Sequence, residues 1–297
     1  MHYRSEKIYQ VFFNLFMILI SIATLVPLIV LISSSFTQNK DITLYGYSLW
    51  PRTFSLEAYG YIWKERMQIF RAYFITIFVT ASGTLLGVIS SVLYAYALSK
   101  REFPLKRFFS VYLLFTMLFN GGLVPTYIMY TRYFGIKNTI FALIIPGLLM
   151  NAFNVILVRS YIQNNVPQAL IEAATIDGAN EFIIVRKLIF PLAKPIIATI
   201  GLFIGVAYWN DWQNGLYYVT DDKLYSIQQI LNNMLKNIEY LSKNTTSVAK
   251  STTLAGTLPA GTVRMAIAVV GMLPILVIYP FIQKYFVKGI SLGAVKG

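Results

Sequence analysis

Glu172-Ala173-Ala174-Thr175-Ile176-Asp177-Gly178-Ala179, with nine residues between Gly178 and the following Leu188-Ile189-Phe190-Pro191, is a short, part-polar stretch set between long apolar ones. Its punctuation predicts a helix, a sharp turn and a second helix. Pro167 follows Asn164 and Asn165 and suits a helix's first turn, and Gly178 is the residue type that closes a helix in the left-handed conformation. Ala169, Glu172, Ala173 and Ile176 fall at spacings of three and four, so small stubs and one carboxylate share a face. Such a face can enter a groove closely and offer one acceptor to an arginine or lysine. The stretch therefore reads as a surface built to meet another protein. The alternative is an amphipathic loop in which Glu-Ala-Ala occurs by chance.

The rest of the chain belongs in a membrane. It is 57% hydrophobic and 12% charged, whereas soluble domains run near about 25% charged. A net charge of +13 would suggest nucleic acid in a soluble protein, but here the lysines and arginines sit at the ends of apolar runs, where lipid headgroups explain them; no nucleic-acid partner is expected. With no cysteine, disulfide and thiolate chemistry are excluded, and His2, the lone histidine, makes a histidine metal site or catalytic triad untenable.

Charge-free intervals mark the crossings, because a charge at the bilayer centre costs about 2.5–3.5 kcal/mol. They run between Lys7 and Lys40, Arg71 and Lys100, Arg107 and Arg132, Lys137 and Arg159, and Arg264 and Lys284. Each supplies the roughly 20 residues a crossing needs. A further span starts at Lys194-Pro195 and runs toward Thr220, interrupted by Asp211. The expected fold is thus an all-α integral membrane protein with six transmembrane helices, and six crossings place both termini on one side. Basic residues divide almost evenly between the two sides, so the short loop holding Lys100, Arg101, Lys106 and Arg107 decides which is cytosolic.

In chain order, the first span, near Val11–Ile32, is longer than a signal-peptide core and is expected to be retained. Ser33 to Arg71, with Trp50-Pro51 and Trp63, reads as an external loop carrying interfacial pieces. Gly83, Gly87 and Ser91, and again Gly201 and Gly205, let helix backbones approach closely. Asn120, Asn151 and Asn154 lie at or near membrane depth and suit either interhelical bonds, worth about 0.6 kcal/mol each, or a passing solute. Trp209-Asn210-Asp211-Trp212-Gln213-Asn214 is the most polar cluster inside any predicted span, and an intramembrane carboxylate should face a water-filled cavity or a partner. Its alternative is a helix end within an aromatic belt. A polar segment of about forty residues follows Thr220, with a small, polar tip over Asn244–Thr253. Pro274 and Pro280 predict a kink in the last span.

The order Glu172-Ala173-Ala174, three residues, Gly178, then Leu188-Ile189-Phe190-Pro191 resembles the cytoplasmic coupling motif of ABC importer permeases. Asp177 and Ala179 match its sugar-importer version. Leu188 and Phe190 stand where the family usually has Ile and Leu, with bulk and apolarity kept. Asn120-Gly121-Gly122-Leu123-Val124-Pro125, the span around Pro146-Gly147, and Trp209-Asn210-Asp211 resemble the carbohydrate branch, whose substrates present hydroxyls and flat C–H faces that suit amide, carboxylate and indole groups. The tail from Gln283 to Gly297 resembles the maltose-type tail that slips between two ATPase subunits.

The resemblance implies a permease in the cell membrane of a bacterium, both termini cytoplasmic. It divides the chain into residues 1–70, a first span with its external loop; 71–288, the permease domain with coupling helices at about 167–188; and 289–297, a cytoplasmic tail. Implied partners are a similar but distinct permease subunit, two ATPase subunits, an extracellular or periplasmic sugar-binding protein, an oligosaccharide and membrane lipid. Implied coupling residues are Glu172, Ala173, Ala174, Asp177, Gly178 and Ala179. Gly293, Lys296 and Gly297 are the implied ATPase-contacting tail. Asn120, Asn151, Asn154, Trp209, Asn210, Asp211 and Trp212 are the implied pathway. This chain is not expected to be an enzyme and carries no cofactor, because Gly-Lys occurs nowhere and no phosphate-binding loop can form; ATP and Mg belong to the partner ATPase. The rivals are a secondary carrier driven by an ion gradient, which would more often show paired intramembrane charges, and an importer permease for a non-sugar solute.

Overall fold

The computed structural model describes residues 2–248 and 260–294. Among these the regular elements are helical, apart from one antiparallel bridge between Thr37 and Phe54. The chain begins with α1 (His2–Ser35), α2 (Asn39–Tyr45), α3 (Glu57–Lys64), α4 (Arg66–Ser99) and α5 (Lys106–Leu118). Next come α6 (Leu123–Ile128), which runs into a π turn over Met129–Tyr133, α7 (Phe141–Ile144), α8 (Ala152–Asn165) and α9 (Gln168–Ile176). Then α10 (Glu181–Ile184), a π turn over Val185–Ile189 and α11 (Phe190–Leu192) lead into α12 (Lys194–Trp209), α13 (Gln213–Tyr218), α14 (Ile227–Val248) and α15 (Ala260–Ala294).

Three described stretches are long and apolar enough to cross a membrane as single helices: Tyr9–Ser35, Arg66–Ser99 and Gly261–Ile278. Two more are bent pairs, α5 with Leu123–Tyr133 at 116°, and Glu181–Leu192 with α12 at 84°. The charge-free interval from Lys137 to Arg159 is not one helix. It holds the four-residue α7, a turn, and α8. Local chemistry accounts for both breaks. Gly122 and Gly147 sit at φ 85° and 71°, a left-handed backbone that side chains other than glycine adopt only at a cost, and Pro146 has no N–H to continue a helix.

The chain forms two compact units. One comprises residues 1–67 and 231–275. Within it the expected external loop is a packed structure: Phe36 stacks on Phe54 at 5.7 Å and on Tyr59 at 5.0 Å. Gln38 N–H donates to Thr53 O at 2.9 Å and Ser55 N–H to Phe36 O at 2.7 Å. Trp50 and Trp63 are exposed, as interfacial residues should be. Asn39 Oδ1 accepts from Gly261 N–H at 3.1 Å and so caps the start of α15. Most of α1 is apolar and exposed, a surface suited to lipid.

The other unit comprises residues 68–230 and 276–297. Its core is drawn from α4, α8, α12 and the α9–α11 segment, with Val92, Ala95, Val155, Val158, Ile189 and Ile200 fully buried. Small residues do pack helices here: a Cβ on Gly83 would lie 2.4 Å from the Tyr208 ring, and one on Gly87 3.0 Å from Leu149 O. The segment after Thr220, expected only as polar, forms the 22-residue α14; Ile227, Ile230 and Leu231, spaced as one helix face, are its buried apolar residues, with Gln229 buried beside them. Part of its expected tip, residues 249–253, lies outside the described residues, as do Lys296 and Gly297 of the tail. Gly293 falls in the last turn of α15.

Candidate coupling segment and pathway

The helix, turn and helix expected around Glu172 are present. Val166 is extended, as a residue before proline should be, and Pro167 serves as the N-cap of α9, one position earlier than a first-turn proline. At its other end Gly178 takes φ 81°. Ala179 N–H donates to Ala174 O at 2.9 Å and Gly178 N–H to Thr175 O at 3.0 Å, the paired bonds of a Schellman closure. Asn180 then caps α10, its Oδ1 accepting from Ile183 N–H at 2.9 Å. The turn therefore leaves little for water to satisfy.

The face read from sequence is open: Ala169, Glu172, Ala173 and Ile176 are exposed, while Ile171 is buried and Ala174 half-buried. Ile176 is 86% and Phe182 70% exposed, two open apolar side chains on a polar segment. Leu188 and Phe190 pack against the core and Ile189 is fully buried. Asp177 and Ala179 complete the turn, with Asp177 N–H bonded to Ala173 O at 2.9 Å.

Three residues whose pairing has no sequence signal tie this segment to the C-terminal end of α4. Glu181 pairs with Lys100 and accepts from Tyr96 OH at 2.9 Å. Lys100 also lies over the Tyr96 ring, 5.2 Å from its centroid. The Lys100 hydrogen bond, joined by that of Tyr96, holds the Glu181 carboxyl below the usual carboxylate range against a smaller opposing effect of burial. Pairs 81 and 85 residues apart leave no periodic trace.

The expected pathway residues gather at helix breaks. Asn120 Oδ1 accepts from Gly122 N–H at 2.8 Å, Asn151 caps α8 by accepting from Phe153 N–H at 2.9 Å, and Asn154 is buried. Trp209 ends α12 and is buried. The polar cluster thus falls at the junction of α12 and α13 and not within one continuous helix. Asn210 donates to Val206 O at 3.0 Å, and Asp211 Oδ1 accepts from Gln213 and Asn214 N–H at 3.1 and 3.2 Å, which turns the chain past the half-buried Trp212 into α13. A short carboxylate binding the amides just ahead ends one helix and starts another.

Tyr208, which no sequence signal marks, and Asn214, the end of the polar cluster, hold the break between α7 and α8. Tyr208 OH donates to Ile144 O at 2.6 Å, and Asn214 Nδ2 to Pro146 O at 3.0 Å. Beyond these bonds the turn is open. Residues 146–148 form a hydrogen-bonded turn, but among the described residues the N–H groups of Gly147, Met150 and Asn151 and the carbonyls from Gly147 to Met150 make no short backbone bond. Counting helix rise from Ser99 to Gly87, from Asn165 to Asn151 and from Lys194 to Tyr208 sets this turn about 18–21 Å from those helix ends, a length to compare with a hydrocarbon layer about 30 Å thick.

Comparison with known proteins gives a consistent picture. The family described as binding-protein-dependent transport system inner membrane component matches residues 83–292. The polygalacturonan/rhamnogalacturonan transport system permease protein YtcP of Bacillus subtilis is 35% identical over 293 residues, covering 99% of this chain and 100% of the relative. The melibiose/raffinose/stachyose import permease protein MelC of the same organism is 29% identical, covering 94% of each. Among solved structures, a chain of a bacterial ABC transporter involved in the import of the acidic polysaccharide alginate superposes with a TM-score of 0.79 at 30% identity, covering 95% of this chain and 98% of that one.

Proposed function

Because the chain belongs to the family of binding-protein-dependent transport system inner membrane components, and so is an ABC importer permease of the cell membrane, we propose that it forms half of a pathway for oligosaccharides. The other half is a similar but distinct permease. Two ATPase subunits bind ATP and Mg, and a binding protein outside delivers the sugar. Six crossings account for the chain: α1, α4, α5 with α6, α7 with α8, α12 with α13, and α15. Both termini and the α9–α11 segment are then cytoplasmic, within the division 1–70, 71–288 and 289–297.

The observation that carries this reading is the open turn at Gly147–Asn151. Unpaired peptide groups at membrane depth are tolerated only where they meet protein or water, since each left facing lipid costs several kcal/mol. The turn must therefore look into a wet cavity or onto the partner permease. Asn120, Asn151 and Asn210, exposed at breaks, with Asn154, Trp209, Asp211 and Trp212 beside them, suit sugar hydroxyls and C–H faces. The relatives named for sugars and polysaccharides support the same substrate class. ATP binding closes the ATPase dimer. Glu172, Ala173, Ala174, Asp177, Gly178 and Ala179 convey that movement to the spans, with Gly293, Lys296 and Gly297 at the ATPase crevice, and the cavity opens alternately to each side.

The test is reconstitution in vesicles with both permeases, the ATPase and the binding protein. Uptake of labelled oligogalacturonides, alginate oligomers or raffinose should require ATP and the binding protein. Uptake of any of them driven by an ion gradient with the ATPase omitted would favour a secondary carrier, and ATP-dependent uptake of a non-sugar solute alone would remove the carbohydrate assignment.

A further inference from the structure

We propose that Glu181, held by Lys100 and Tyr96, is a positioning residue that fastens the α9–α11 segment to α4, so that one displacement of the segment moves two spans. α12 follows through the peptide chain itself, since α11 leads directly into it. α4 has no such covalent link. Glu181 and Lys100 are 81 residues apart, Glu181 and Tyr96 85, and the carboxylate is what joins them. Tyr96 is anchored: it is 4% exposed and belongs to the core, so its hydroxyl is a fixed donor. Lys100 is fixed in turn, because Lys106 Nζ donates to its carbonyl oxygen at 3.0 Å and its own ammonium lies over the Tyr96 ring.

The grip does little for stability, since the Glu181 side chain is 64% exposed and exposed ion pairs contribute little. What it supplies is direction. Charge-assisted bonds from two donors on one helix end fix where the carboxylate sits. The same α4 carries Gly87, whose position lets Leu149 O of the open turn approach closely, and Gly83, which seats Tyr208. A push on α10 thus reaches the turn at Gly147–Asn151 by two routes, along α4 and along α12.

This rests on the reading of α9–α11 as the segment driven by the ATPase, and the experiment keeps the two apart. The chain is free of cysteine, so Lys100→Cys with Glu181→Cys gives it two thiols, in a transporter whose other subunits have lost theirs. The measurement is sugar taken up per ATP hydrolysed in vesicles containing both permeases, the ATPase and the binding protein. Before cross-linking this ratio should fall about five- to tenfold, the scale of a typical coupling between sites, and joining the thiols with a short bismaleimide should restore it. Glu181→Gln, which keeps shape and loses charge, should lower the ratio in the same direction. A wild-type ratio in the uncross-linked pair and in Glu181→Gln, or no recovery on cross-linking, overturns the proposal. If these variants behave as wild type while Glu172→Ala abolishes uptake, the tie alone fails. If Glu172→Ala transports normally, the driven-segment reading has failed first.

Discussion

The turn after α9 and the turn before α8 both interrupt a helix at a glycine with positive φ, 81° at Gly178 and 71° at Gly147, yet they are finished in opposite ways. The first lies on the proposed cytoplasmic side, where water would satisfy any peptide group, and it is closed by its own Schellman bonds and the Asn180 cap. The second lies within a proposed crossing, where water should be scarce, and most of its peptide groups are open. Self-satisfied backbone holds its shape against a load, which suits a part that is pushed. Open backbone needs a polar neighbour, which suits a part that meets solute, water or a partner. Hydrogen-bond accounting thus separates a joint from a lining without reference to sequence motifs.

The strongest way to break the comparison is to undo the closed turn. Gly178→Pro imposes a φ near about −65° in place of 81° and deletes the N–H that bonds Thr175 O. Uptake should be abolished while the protein still reaches the membrane, measured as transport alongside membrane abundance. Normal uptake by an abundant Gly178→Pro protein would mean that the closed turn carries no load. Gly178→Ala is milder, since nothing lies within 4 Å of its Cβ and only the left-handed strain, about 1–2 kcal/mol, is felt.

The open turn can be tested for water directly. In this cysteine-free chain, Met150→Cys places a thiol on the turn, and Leu19→Cys places one on the apolar, exposed side of α1. Thiolate is the reactive form and is suppressed in apolar surroundings. In the assembled transporter a membrane-impermeant maleimide should label position 150 about tenfold faster or more than position 19, and sugar should slow it. Equal, slow labelling at both would place the turn against protein and remove the wet lining.

Both turns were half legible in the sequence, for different reasons. Glycine and proline act locally, so Gly178 with Pro167 announced a helical joint, and its exposed face at Ala169, Glu172, Ala173 and Ile176 followed from spacing alone. The turn at Gly147 was hidden because the interval from Lys137 to Arg159 is uncharged and largely apolar; hydropathy does not report helix continuity. Asp211 shows the same limit: its charge marks an interruption of the apolar run, but only its bonds to Gln213 and Asn214 reveal it as the turn between α12 and α13. Tyr96, Lys100, Glu181, Tyr208 and Asn214 act across 64 to 85 residues, and no local pattern encodes such partners. For α14 the signal was present, in the spacing of Ile227, Ile230 and Leu231, but polar composition masked it.

A smaller effect is expected where α4 supports the open turn. Gly83→Ala would put a methyl 2.4 Å from the Tyr208 ring, and the ring, held by its bond to Ile144 O, must shift. Overpacking of this kind costs about 1–3 kcal/mol. Tyr208→Phe removes only the donor to Ile144 O and should cost about 1–2 kcal/mol. Thermal midpoints of the purified complex should fall in that order. A Gly83→Ala midpoint equal to wild type would show that the turn has slack.

The least effect is predicted for pH at the closed side, and its sign follows from Glu181. The Lys100 bond and the Tyr96 bond favour the ionised carboxylate, so its pKa lies below the ordinary value of 4.5. A carboxyl with a lowered folded pKa contributes stability that is fully present above the ordinary value and lost as pH falls through the folded one. The grip should therefore be intact throughout pH 5.5 to 8 (about the range usable for vesicle transport), with sugar per ATP flat across it in wild type. Glu181→Gln should lower that flat line without tilting it. A wild-type ratio that declines between pH 7 and 5.5, with the decline absent in Glu181→Gln, would mean that the carboxyl titrates far above its expected range, and so that Lys100 is not its partner in the working transporter.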